Sequence, residues 1–101
     1  MAKGYWIAHV DVRDAEAYKL YIKANGVAFA KFGARFLVRG GKRLVGKGAI
    51  RERNVVIEFA DYETALACYN SEEYREAAKL RDAASDLDLV ILEGYDGPQP
   101  G

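Results

Sequence analysis

Four side chains carry the chemistry this chain offers most openly: His9, Arg35, Arg39 and Glu58. A histidine whose imidazole is held in one tautomer by a carboxylate is a general base. An arginine beside it stabilises an anionic or enolate oxygen. Strand side chains alternate between faces, so spacing decides whether the four meet. In Gly33-Ala34-Arg35-Phe36-Leu37-Val38-Arg39-Gly40-Gly41 the alternation puts Arg35, Leu37 and Arg39 on one side, and Phe36 and Val38 on the other. In Tyr5 to Val12, His9 shares a side with Tyr5, Ile7 and Asp11, opposite Trp6, Ala8, Val10 and Val12. In Val55 to Phe59, Glu58 and Val56 oppose Val55, Ile57 and Phe59. Glu58 is then expected between His9 and Arg35 or Arg39, with His9 as base, Glu58 as its orienter and Arg35 or Arg39 as the anion stabiliser. The same residues equally suit a paired, satisfied set inside a subunit interface, because a buried charge needs a partner whatever the function.

Other candidates are weaker. Asn25 falls in the apolar stripe of a predicted helix, where it either binds substrate at a pocket rim or marks a helix face phased wrongly. Tyr69, with Tyr18, Tyr21 and Tyr74, offers rings and hydroxyls to a pocket, or equally to the core. Arg39 joins Asn25 and Tyr69 as a substrate-binding candidate. Gly41-Lys42-Arg43-Leu44-Val45-Gly46-Lys47-Gly48 half-matches a phosphate loop, but Gly48 stands where a magnesium-holding hydroxyl belongs and no helix follows. The lone Cys68 reads as a small buried apolar residue. With one histidine and one cysteine, no metal site is expected, and no cofactor is called for.

These residues need elements to hold them. Gly4 to Val12 reads as a strand. Asp14 caps a helix expected to run to about Phe32, with Tyr18, Ile22, Phe29 and Phe32 as its stripe, Tyr21 and Ala28 at the edges, and Gly33 ending it. After the second strand, Gly40-Gly41 suggests a reversal into a polar hairpin arm over Lys42 to Gly48, then a charged connection from Ala49 to Asn54. Val55 to Phe59 is the third strand. Asp61 opens a second helical region broken at Asn70-Ser71, and Leu87 to Glu93 is the last strand, with either Asp88, Val90 and Leu92 or Leu87, Leu89 and Ile91 away from the helices. The order is βαββαβ: a ferredoxin-like α+β fold, an antiparallel sheet with both helices on one face and a small inserted hairpin.

The chain has 101 residues, which suits one domain, expected over residues 1–96 with a disordered tail at 97–101. Fifteen basic residues cancel fifteen acidic ones, which argues against nucleic acid or an anionic membrane as partner. No run approaches the ~20 apolar residues of a membrane span, so a cytoplasmic location is expected. The sheet's second face, half apolar, has no layer of its own chain to cover it. Such a face usually marks an interface, and a second copy of the same sheet is its simplest cover.

Gly4-Tyr5-Trp6-Ile7-Ala8, the Gly33–Gly41 stretch, Val55-Val56-Ile57-Glu58-Phe59, Ala67-Cys68-Tyr69-Asn70-Ser71-Glu72-Glu73-Tyr74 and Leu89-Val90-Ile91-Leu92-Glu93-Gly94-Tyr95 together resemble the bacterial family known as domain of unknown function 1330. The resemblance spans about residues 4–95. It implies a dimeric α+β barrel, a superfamily that also holds cofactor-free monooxygenases, muconolactone isomerase-like enzymes and stress-response proteins. The chain departs from the family pattern at Ala15, Ala60 and Val27-Ala28, where prolines are common. Residues and resemblance together predict a homodimer that binds a small anionic or aromatic molecule and catalyses a cofactor-free proton transfer or oxidation. The competing expectation is a binding, stress-related or structural dimer without catalysis.

Overall fold

Short polar side chains open every helix. Asp14 accepts from the Ala17 amide, Asp61 from Thr64 and Ser71 from Tyr74. The computed structural model describes residues 2–101, and its elements run β1 (Gly4–Val12), α1 (Ala15–Lys31), β2 (Arg35–Arg39), β3 (Arg53–Phe59), α2 (Tyr62–Tyr69), α3 (Glu72–Ala84) and β4 (Ser85–Glu93). The expected break at Asn70-Ser71 separates α2 from α3. Gly33, at a φ of +67°, reverses the chain after α1, and the Ala34 amide donates back to the Phe29 carbonyl at 2.9 Å.

The strands form one antiparallel sheet in the order β2-β3-β1-β4. Its helix-side face carries Trp6, Val10, Val55, Ile57 and Phe59, all buried. Trp6 is the hub: the rings of Tyr74, Phe29 and Phe59 lie 4.8, 5.4 and 5.4 Å from its own. Its Nε1 donates to the Ala65 carbonyl at 2.9 Å, so the one polar atom of the indole is satisfied. Gly4 lets β1 start hard against α2, since a Cβ there would stand 2.3 Å from the Asp61 carbonyl oxygen. Arg13 closes the other end by donating to the Asp82 and Ser85 carbonyls at 2.8 and 3.0 Å, a cation at the C-terminus of α3.

The structure corrects three expectations. The inserted hairpin is absent: Gly41 to Arg51 forms neither helix nor strand. That stretch has no face to bury, with Leu44 89% exposed, and Arg43 instead gathers it by donating to the Ile50 and Arg51 carbonyls. Residues expected in the charged connection join β3, which begins at Arg53. Most consequential is a β-bulge in β2 between Phe36 and Val38. The extra residue shifts the alternation by one. Arg39 therefore lies opposite Val55 on the helix side with Phe36, and Val38 lies opposite Val56 on the open side. Arg35 and Arg39 do not share a face.

The α1 stripe is also rotated slightly from expectation. Tyr18, Tyr21, Asn25, Ala28 and Phe29 are buried, and Ile22 and Phe32 are half-buried. Register settles β4: Leu92, Val90 and Asp88 lie opposite Tyr5, Ile7 and His9, leaving Leu87, Leu89 and Ile91 under the helices.

Candidate functional site

Between α1, α3 and the sheet lies a cavity of about 40 Å³, lined on the sheet side by Trp6, Val10 and Leu89 and on the helix side by Tyr18, Tyr21 and Asn25. At about 10–15 Å³ for each water, it holds roughly three. Among its walls stand three arginines, Arg39, Arg53 and Arg81, and no aspartate, glutamate or histidine. The chain as a whole is balanced in charge, so folding has concentrated cations here.

The deepest polar group is a chain of donors. Arg81 Nη1 donates to the Tyr74 hydroxyl at 3.1 Å, and the Tyr74 and Tyr21 hydroxyls are 2.9 Å apart. Either hydroxyl can donate in that pair, so the chain joins one guanidinium to two hydroxyls in the cavity wall. Burial, reinforced by Tyr74, pushes the Tyr21 hydroxyl far above the ordinary tyrosine value. Burial likewise raises Tyr74, against the opposing pull of its bonds to Tyr21 and Arg81. Burial works against the Arg81 cation, but the hydrogen bonds to Asp82 and Tyr74 outweigh it and its pKa rises. Hydroxyls and guanidinium thus stay protonated at neutral pH. Asn25, one helical turn beyond Tyr21, lines the same cavity and is only 6% exposed. The outer arginines lie against rings, Arg39 4.2 Å from the centre of Phe36 and Arg53 5.8 Å from that of Tyr18.

Of the residues singled out in the sequence, Asn25, Arg39, Tyr18, Tyr21 and Tyr74 reach this cavity. His9, Glu58 and Arg35 lie on the opposite face of the sheet, and register separates His9 from the other two. His9 stands opposite Asn54 and Asp88, whereas Glu58 stands opposite Tyr5 and Arg35. Four residues of β1, at about 3.4 Å each, put roughly 13 Å between the two levels. Asn54, not Glu58, orients the imidazole. Its Nδ2 donates to the Arg51 and Glu52 carbonyls at 3.3 Å, which turns its Oδ1 toward His9 Nδ1, so Nδ1 carries the proton. Glu58 Oε2 instead accepts from the Tyr5 hydroxyl at 3.3 Å. Tyr69 packs its ring 6.0 Å from Trp6 but sits outside the cavity, 41% exposed.

Arg53 and Arg81 were not among the site residues expected from sequence, and Tyr74 was expected only as one of several pocket or core rings. Arg53 was legible: the alternation Arg53-Val55-Ile57-Phe59 runs back two residues from the apolar core of β3. Arg81 and Tyr74 are seven apart on one helix face, but the partner hydroxyl of Tyr21 comes from α1 and leaves no local trace. Among the described residues no three histidine, cysteine, aspartate or glutamate side chains converge to hold a metal, and no helix is long and apolar enough to cross a membrane.

The chain matches the family model described as Domain of unknown function (DUF1330) over residues 3–95. Among solved structures it is similar to a protein of unknown function from Rhodopseudomonas palustris, with 22% identity and a TM-score of 0.75 over 95% of this chain and 85% of that one. It is similar to a dimeric ferredoxin-like protein of unknown function from Thermobifida fusca, with 16% identity and a TM-score of 0.61 over 91% of each chain. A third likeness is to SnoaB, a cofactor-independent oxygenase from Streptomyces nogalater, with 12% identity and a TM-score of 0.63 over 99% of this chain and 97% of that one. No curated protein matches the chain. These likenesses show the ferredoxin-like fold.

Proposed function

The chain belongs to the DUF1330 family, and on that premise we propose that it is a homodimer that binds a small organic molecule in the cavity between helices and sheet. The observation that carries this reading is the hydrogen-bonded chain Arg81–Tyr74–Tyr21, which sets a guanidinium and two hydroxyls in the wall of an aromatic cavity that holds no carboxylate or imidazole. Two hydroxyls and a guanidinium have hydrogen-bonding capacity beyond these bonds, open to a partner that uses it. A ligand oxygen does so, and the rings of Trp6, Tyr18 and Phe29 take its body.

The same inventory favours binding over proton abstraction. Tyrosines raised by burial and arginines fixed as cations are poor bases at neutral pH. The imidazole of His9, on the far side of the sheet, is out of reach. Oxidation without a base or cofactor remains the second reading, favoured by the fold shared with a cofactor-independent oxygenase. Dimerisation is supported by the open sheet face, where Val38, Val90 and Leu92 are each more than 40% exposed, and by the dimeric relative from Thermobifida fusca.

A thermal-shift screen of short-chain alcohols, ketones and carboxylates tests the binding reading. A ligand at a hundred times its Kd adds about 2.7 kcal/mol, a rise of several degrees in Tm for a domain this size. Tyr21→Phe should weaken any hit about tenfold, the worth of roughly one hydrogen bond. A screen with no hit, or hits indifferent to Tyr21→Phe, removes the cavity as the binding site.

A further inference from the structure

We infer that the cavity's mouth is an oxyanion site built by Arg39, Arg53 and the Tyr18 hydroxyl, so that the ligand is a small organic anion, a short chain carrying a carboxylate that suits a cavity of about 40 Å³. This rests on the binding reading above and adds the ligand's charge to it. The argument begins with the bulge in β2, which turns Arg39 to the helix side opposite Val55. Arg53 lies two residues before Val55 on the same face of β3. The two arginines are therefore diagonal cross-strand neighbours, roughly 7–8 Å apart along the sheet. Like charges at such a spacing repel, and the usual remedy is a carboxylate between them. Among the described residues neither arginine forms an ion pair, although Arg13, Arg51 and Arg81 all do.

Three further observations place an anion there. Arg53 Nε is buried and has no hydrogen-bond partner in the described protein. Buried polar atoms are rarely left so, and an N–H beside a guanidinium fork fits a carboxylate oxygen. The Arg53 head is seated where a side chain at Gly40 would collide with it, since a Cβ there would lie 2.8 Å from Arg53 Nη1, and Gly40 holds a φ of +60°. Tyr18, 7% exposed, has the Arg53 guanidinium 5.8 Å from its ring centre: burial raises its hydroxyl, while Arg53 and Arg39 pull in the opposite sense. Tyr18 and the two arginines line the same cavity. An anion held by them shares that cavity with the apolar walls Trp6 and Phe29 and the polar groups of Asn25 and Tyr21.

Propionate and its uncharged isostere propionamide are the probes, titrated by calorimetry against the wild type, Arg53→Met and Arg39→Met. Methionine keeps the aliphatic stem on the ring and strands no carboxylate, and Arg39 is exposed, so the variants should fold. The wild type should bind propionate at least tenfold more tightly than propionamide, and either substitution should close most of that gap. Propionamide binding as tightly as propionate, or a gap that survives both substitutions, overturns the anion site and leaves the cavity reading standing. A second arm needs no organic body: chloride is exchanged for sulfate at constant ionic strength while Tm is followed. Sulfate should raise the Tm of the wild type more than that of Arg53→Met. If neither organic probe binds, the cavity reading falls, and an equal sulfate response in wild type and variant then removes the anion site as well.

Discussion

Cys68 shows how completely surroundings set the chemistry of a side chain. Its Sγ lies 4.0 Å from the Ala28 carbonyl under α1, and the residue is fully buried. Burial, with help from the Glu73 carboxylate, pushes the thiol up to about 12. At pH 8 its thiolate fraction is roughly a thousandfold below that of a free cysteine. Alkylation by iodoacetamide should therefore be about a thousandfold slower in the native protein than in urea, and comparable rates would show that the thiol is accessible. The same rule governs Tyr21 and Tyr74, whose hydroxyls keep their protons once water is removed. His9 illustrates the converse: its ring is oriented through Asn54, an amide whose own hydrogen bonds to two backbone carbonyls decide which atom it presents.

Among the elements, α1 does the most positioning and carries one avoidable weakness. Gly26 lies inside it, exposed, with nothing within 4 Å of where a Cβ would stand. Gly26→Ala should stabilise the protein by about 1 kcal/mol in urea denaturation, the helix-propensity difference alone. Gly4→Ala should do the opposite, because the added methyl would meet the Asp61 carbonyl. A Gly26→Ala that gains nothing would mean that this turn of helix is already under strain. The bulge in β2 is the other decisive local feature. Without it Arg39 would face the open side, and the cation pair with Arg53 would not exist.

For the whole molecule, the uncovered sheet face and the acid limb of stability are the measurable properties. Val56, opposite Ile7 and Val38, stands at the middle of the open face. Val56→Asp should raise the dimer dissociation constant at least tenfold in sedimentation velocity, with the circular dichroism of the fold unchanged. A wild type that is monomeric at micromolar concentration sinks the homodimer. Three carboxylates are held below their ordinary range: Asp11 by the Glu52 amide and then Arg51, Asp61 by the Thr64 hydroxyl and amide, and Glu73 by Lys31. A lowered folded pKa contributes stability that is present above the unfolded value and lost as pH falls through the folded one. The urea midpoint should thus hold steady down to about pH 4 and fall below it, and Asp61→Asn should flatten that fall. A midpoint that already drops near pH 6 would remove these three carboxylates as the cause.

Local signals in the chain determined most of the frame. Asp14, Asp61 and Ser71 announce the helix starts, Gly33 the end of α1, and the period-two runs around Trp6 and Ile57 the core face of the sheet, because capping and alternation act over a few residues. The same locality explains why Asn25 could be placed in the buried stripe without its partners being known. What the tertiary structure alone decided was which charges meet. Glu58 was matched to His9 on a shared face, yet faces alone say nothing about level along a strand, and pairing set the two roughly 13 Å apart. The shift at Leu37 reversed Arg39, since a bulge is a property of two paired strands rather than of one sequence. The contact between Tyr21 and Tyr74 spans 53 residues and exists only once α1 and α3 lie side by side.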